Sequence, residues 1–244
     1  MKKVLLALVA LFIVALPLSV MAEDPIAEAK ALMKLKTLDG YTKAVPLSLK
    51  AVQAQPQSYE ANWVAAKAHR LYGDESKKQN VAGWKAICKE YGKKGMGFAE
   101  KAIALNPNRV EGHFWYGCSV GTYSDGVSVV TALKEGLKDK TQKGFETSYK
   151  LDRSYEDYGP VKALGRFWYV LPWPLNDKKK AVALLEEFNK SFPGDAEGEL
   201  YLGQAYVSVK EKDKARAILT KASSATASND RYYADEAKKA LAGL

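Results

Sequence analysis

The sequence predicts an all-α fold of stacked helical hairpins, and three observations carry that expectation. Alanine, leucine and lysine recur at three- and four-residue spacing through most of the chain, the period of an amphipathic helix. Alternating strand patterns are few. A pattern also returns in the second half. Leu164, Gly165 and Trp168 reappear as Leu202, Gly203 and Tyr206, and Ala181, Leu185 and Phe188 reappear as Ala215, Leu219 and Ala222, thirty-four residues on.

These landmarks resemble the tetratricopeptide (TPR) repeat. There, helix A carries Leu-Gly and then an aromatic, and helix B carries a small residue, large apolar residues and a closing proline. Small residues let two antiparallel helices approach, the aromatic fills the space between hairpins, and the proline cannot continue helix B. The resemblance implies a right-handed superhelical array of such hairpins, with helical insertions and a C-terminal cap helix.

Each element follows in order. Lys2 and Lys3, the apolar run from Val4 to Leu16, and Val20-Met21-Ala22 read as a secretory signal peptide cleaved after Ala22. The run is short for a spanning helix, which takes about 20 apolar residues. No cysteine follows it to accept a lipid. The expected location is the periplasm, with a TPR-like domain over residues 23–244. The first helix A is expected over residues 25–36, with Asp39-Gly40 in its turn, and its helix B holds Ala44, Ser48, Ala51 and Pro56. A second helix A covers 59–71, with Trp63 and Ala66. A basic helical insertion follows over 74–91, and "FAEKAIALNP" closes the partner, with Gly95, Ala102 and Pro107 at the small and closing positions.

The third helix A spans 110–121, where Gly117 and Gly121 stand one turn apart and imply a close helix contact. Residues 122–139 form an insertion, a glycine-rich turn and then a helix, and the partner falls within 140–151. In the next hairpin Trp168 to Ala181 spans thirteen residues, against nine from Tyr206 to Ala215. The four extra residues are "LPWP". Pro172 and Pro174 restrict Leu171 and Trp173 to extended backbone, so the turn is stiff and presents Trp173 between two kinks. Residues 230–244 read as the cap, with Tyr233, Ala237, Ala240 and Leu241 on its apolar side and Asp230 as N-cap.

The chain carries a formal charge of +9, or +7 without the two signal lysines, which favours anionic partners. Export argues against nucleic acid. Cys88 and Cys118 read either as a disulfide, which an oxidising compartment permits, or as two buried thiols. His69 and His113 lack the spacing of a metal site, and no catalytic motif stands out, so no enzyme, metal or cofactor is expected. Lys77, Lys78, Lys85, Lys89, Lys93 and Lys94 read as the solvated face of an inserted helix ahead of an anion site. Lys178, Lys179 and Lys180 open a helix B, where the helix dipole disfavours them.

With Leu164 at repeat position seven, positions five, nine and twelve face the concave groove. They are Lys162, Arg166 and Tyr169, then Leu200, Gln204 and Val207, and in the third helix A Phe114, Cys118 and Gly121. Phe114, Lys162, Arg166, Tyr169 and Gln204, with Trp173 at the inserted turn, are the candidate partner-binding residues. A ligand with an apolar body and an acidic end would suit this mixed groove. The alternative is that the aromatics only fill inter-repeat space.

The order "NPNRVEGHFWYGCSVG", a glycine-bearing insertion, "YKLD", "YGPVKALGRFWYVLPWP" and "KKKAVALLEEF" resembles the T-component (TatT) family of TRAP transporters. That resemblance implies a periplasmic, non-enzymatic accessory that associates with a solute-binding subunit, serves uptake of small organic acids or hydrophobic ligands, and forms a homo-oligomer. The alternative reading is a general envelope scaffold for protein–protein interaction.

Overall fold

Twelve helices and no strands make up the described residues, 24–228 and 230–244, of the computed structural model. The signal-peptide reading of residues 1–22 lies outside them. The helices are α1 (Pro25–Lys34), α2 (Leu38–Ala54), α3 (Tyr59–Lys78), α4 (Trp84–Leu105), α5 (Val110–Val127), α6 (Val129–Lys134), α7 (Leu137–Asp152), α8 (Tyr155–Val170), α9 (Lys178–Ser191), α10 (Ala196–Ser208), α11 (Lys212–Ser223) and α12 (Arg231–Ala242).

Consecutive helices pair into five hairpins: α1–α2, α3–α4, α5–α7 with α6 inserted, α8–α9 and α10–α11. The first helices of these hairpins also touch one another, α1 to α3, α3 to α5, α5 to α8, α8 to α10, and α10 to α12. They form an inner layer, and α2, α4, α7, α9 and α11 form an outer one. α12 packs on α10 and α11 and closes the stack, as a cap must.

Local chemistry sets the ends. Asp24, Thr37, Ser58, Asp177 and Asp195 each accept a backbone N–H at the start of a helix. Three outer helices stop two residues before the prolines 56, 107 and 193, and the intervening Gln55, Asn106 and Phe192 take extended φ of −137°, −151° and −138°. The expected Asp230 cap makes no such bond, because its backbone is already helical.

Several sequence expectations shift. Asp39-Gly40 lies in the first turn of α2, since Thr37 caps that helix two residues earlier. The basic insertion over 74–91 is no separate element. α3 runs on to Lys78 and α4 starts at Trp84, so the hairpin is simply longer than a repeat. Gly117 does meet a close neighbour, the Phe145 ring, but nothing lies within 4 Å of a side chain built at Gly121. Gly165 and Gly203 make room for Leu185 and Leu219 of helix B. The closest backbone approach is α4 on α5, where a Cβ at Gly92 would lie 2.4 Å from the Tyr123 nitrogen.

Two of the three lysines that open α9 have partners. Lys178 donates to the Tyr169 carbonyl and lies 4.4 Å from the Tyr169 ring, and Lys180 lies 4.2 Å from the Trp168 ring. They fold back across the inserted turn onto α8. Trp173 at its tip is 85% exposed, so little of it packs on its own hairpin, while Leu171, two residues before it, is buried.

Both cysteines are free, so the disulfide does not form. Cys88 turns from α4 toward α3, where its thiol donates to the Gly73 carbonyl at 3.2 Å. Cys118 turns from α5 to the inner face. Burial pushes both thiols up to about 12, which keeps them protonated.

His69 is fully buried between Tyr91 and Phe98, its Nδ1 2.8 Å from the Ala65 carbonyl and its Nε2 unpartnered. Burial lowers its pKa to about 4 from 6.5. Between those values the unfolded chain binds a proton that the folded chain refuses, so folding loses stability as pH falls through this window. His69→Phe should remove about 3 kcal/mol of that acid sensitivity. Parallel stability–pH curves for variant and wild type between pH 6.5 and 4 would refute the assignment.

Candidate functional site

The inner layer lines a half-open channel of about 510 Å³. Its wall divides by chemistry. α6, α7 and α8 supply an apolar sector of Leu133, Leu137, Phe145, Phe167, Val170 and Leu171. α3, α8, α10 and α12 supply a charged sector of Arg70, Asp74, Lys78, Lys162, Arg166, Glu197, Tyr201 and Tyr233.

The charged sector is largely self-neutralised. On α3 the Asp74 carboxylate sits 3.3 Å from Arg70 and 2.8 Å from Lys78. Lys162 of α8 reaches Asp195 at 3.0 Å and Glu197 at 2.7 Å. Tyr201 donates to Glu197 at 2.8 Å. Burial raises the Glu197 carboxyl, but Lys162, Lys78 and Arg70 outweigh it and hold the group well below the usual carboxylate range. Asp74 is depressed in the same way: burial opposes, and Arg70 and Lys78 prevail. Lys77 pairs with Asp125 at 2.7 Å, where burial wins and raises the carboxyl. Across the channel, Lys78 lies 4.8 Å from the Tyr233 ring of α12.

Four of the six candidate binding residues line this channel: Phe114, Lys162, Arg166 and Gln204, with Cys118, Gly121 and Leu200 beside them. Arg166 donates to Gln204 at 2.7 Å and stacks 4.3 Å from the Tyr201 ring and 5.0 Å from Tyr169. Tyr169 therefore supports the guanidinium from outside the channel. Val207 and Trp173 do not line it. The positive charge that Lys162 brings to this face is neutralised, because Lys162 is spent on two carboxylates. The lining as a whole carries seven lysines and arginines against nine aspartates and glutamates.

None of Arg70, Asp74, Lys78, Glu197, Tyr201 and Tyr233 was placed in the groove from the sequence. One of them was within reach of it. With Ala66 placed as Gly165 is, the groove positions of α3 are Trp63, Lys67 and Arg70, and Arg70 does line the channel. Asp74 and Lys78 follow one and two turns later, in the stretch read as an insertion.

Glu156, Asp157 and Tyr158 take φ of 47°, 55° and 60°, a left-handed turn at the start of α8. Such backbone costs about 1–2 kcal/mol per residue. It places Glu156 and Asp157 at the channel wall, where Glu156 pairs with Lys67.

Among the described residues no three or more His, Cys, Asp or Glu side chains are grouped to hold a metal ion, and no helix is long and apolar enough to cross a membrane.

Hairpins stacked in two layers around an inner channel define a TPR-type helical repeat protein. Solved structures share this fold. TTC0263, a thermophilic TPR protein of Thermus thermophilus, superposes with a TM-score of 0.63 at 17% identity, covering 89% of this chain and 99% of that one. YrrB, a TPR protein with an unusual peptide-binding site, gives 0.51 at 16% identity, covering 88% and 90%. The MamA protein gives 0.50 at 16% identity, covering 83% and 91%. No curated protein matches the sequence.

Residues 26–171 match the family described as "Regulator of microtubule dynamics protein 1-3", and the chain belongs to that family. The match is to this family rather than to the T-component family that the chain order resembled.

Proposed function

We propose that the protein is a non-catalytic scaffold whose inner channel receives an extended segment of a partner protein. The observation that carries this is the division of the channel wall. A neutralised polar sector and an apolar one share the same wall, which suits alternating side chains of one polypeptide. YrrB, of the same fold, is described as having a peptide-binding site. The family's description speaks of regulating microtubule dynamics, and what we carry over to this chain is a protein-binding role.

With residues 1–22 read as an export signal, the partner would be an envelope protein. Service to a TRAP-type transporter is the narrower form of the same reading, in which the segment belongs to a solute-binding subunit. Crosslinking in intact cells, with identification of the captured protein, separates the two.

Val170 lines the apolar sector near the end of α8. Val170→Trp should fill that sector and weaken capture of apolar peptides about tenfold, as loss of a buried anchor does, while the melting temperature stays near that of wild type. A display library that returns the same peptides for both proteins would count against the channel as the site.

A further inference from the structure

The charge on the outer layer is arranged differently. On α4, Lys85, Lys89 and Lys93 stand one turn apart, about 6 Å along the axis. All three are exposed, and none makes an ion pair among the described residues. The two acids of α4 are already taken, Glu90 by Lys94 at 2.7 Å and Glu100 by Lys140 at 3.0 Å. Lys77 and Lys78, grouped with them in sequence, turn instead into the channel and are neutralised there. Like charges one turn apart destabilise their own helix. The channel lining holds more acids than bases, so the positive excess of the chain resides elsewhere.

The shape of this face narrows the partner. Around the lysines the other exposed residues are small, Ala82, Gly83, Ala86 and Gly97, apart from Glu90 and Lys94, which pair with each other. The face belongs to the outer layer, is a helical ridge, and carries no exposed large apolar side chain. Peptide recognition draws on grooves or sheet edges, and a ridge supplies neither. A flat array of phosphates can meet the ridge without enclosure.

We propose that the Lys85–Lys89–Lys93 face of α4 docks on an anionic phospholipid bilayer, held by charge and without insertion. The inner channel then faces away from the membrane and stays open to its partner.

Cosedimentation of the protein with vesicles tests this. Binding is expected to phosphatidylcholine vesicles doped with phosphatidylglycerol, absent on pure phosphatidylcholine, and lost in high salt. The Lys85→Glu/Lys89→Glu/Lys93→Glu variant should bind about a hundredfold more weakly, from the loss of three surface-facing lysines. The control Lys150→Glu/Lys190→Glu/Lys221→Glu makes the same charge change at exposed lysines elsewhere and should keep most of the binding. If the first variant does not fold, Lys85→Gln/Lys89→Gln/Lys93→Gln carries the comparison, with about a hundredfold loss expected from the three lysines alone. Equal losses in stripe and control variants overturn the proposal, as does failure of the wild type to bind anionic vesicles. Retention on soluble polyglutamate with none on vesicles also overturns it, and would assign the face to an acidic polypeptide.

Discussion

Gly92→Val should lower stability by about 3 kcal/mol, the upper range for overpacking, and the melting temperature by about ten degrees. A Cβ at Gly92 would stand 2.4 Å from the Tyr123 nitrogen, 2.7 Å from its Cα and 2.9 Å from the Ser119 oxygen. All three are backbone atoms of α5, so no rotamer change relieves the clash, and the two helices must separate. The same seam has a second close glycine, Gly126, where a Cβ would stand 2.4 Å from the Lys89 nitrogen, so a shift at one point strains the other. Gly97 supplies the contrast. It lies on the same helix, and nothing stands within 4 Å of a side chain there. Gly97→Ala should be neutral or stabilising by up to about 1 kcal/mol, since alanine favours a helix over glycine. Denaturant titration of the two variants decides the matter, and similar midpoints would refute close packing of α4 on α5.

Glu197→Leu should cost about 2 kcal/mol, less than the 3–5 typical of a fully buried broken pair. The discount follows from partial exposure, 18% for the Lys162 side chain and 20% for Glu197. The cost arises less from the lost attraction than from the cations left behind. Lys162 would keep only Asp195, and Lys78 and Arg70 would share Asp74 alone. Lys162→Met in the same chain should recover part of the loss, a coupling that a double-mutant cycle reads directly. Strict additivity of the two changes would mean that the pair contributes nothing. The pH dependence has a definite sign. The folded-state pKa of Glu197 lies below its unfolded value of 4.5, so its contribution is present above 4.5 and fades as pH falls toward the folded value. In Glu197→Leu that part of the acid sensitivity should vanish.

The helices were legible in the sequence because period and punctuation agree. Proline and N-cap residues act through the chain next to them, and those signals located the ends of most outer helices. The extension of α3 and α4 beyond one repeat was not legible. Nothing local marks a hairpin as too long, and lysine-rich helical sequence reads equally well as an insertion. The groove residues were found where a repeat register could be assigned, as for Lys162, Arg166 and Gln204. What the register cannot supply is the carboxylate that meets Lys162. Asp195 and Glu197 come from the next hairpin, and only the stacking of α8 on α10 brings them to it. A basic patch in the sequence thus became a neutral one in space. Trp173 was legible as the tip of a stiff turn, but whether it packed could not be read from its neighbours.

The contact between Lys78 and Tyr233 joins positions far apart in the chain, the end of the second hairpin's first helix and the cap. A solenoid whose units touch only their neighbours can fray from either end, each hairpin melting nearly on its own. A clasp across the channel alters that order of events. The last helix gives up its contact with the third as it leaves, so loss of one end is felt at the second hairpin. The array then behaves less like a zipper and more like a closed ring, with late, non-local contacts that slow assembly and make unfolding more nearly all-or-none.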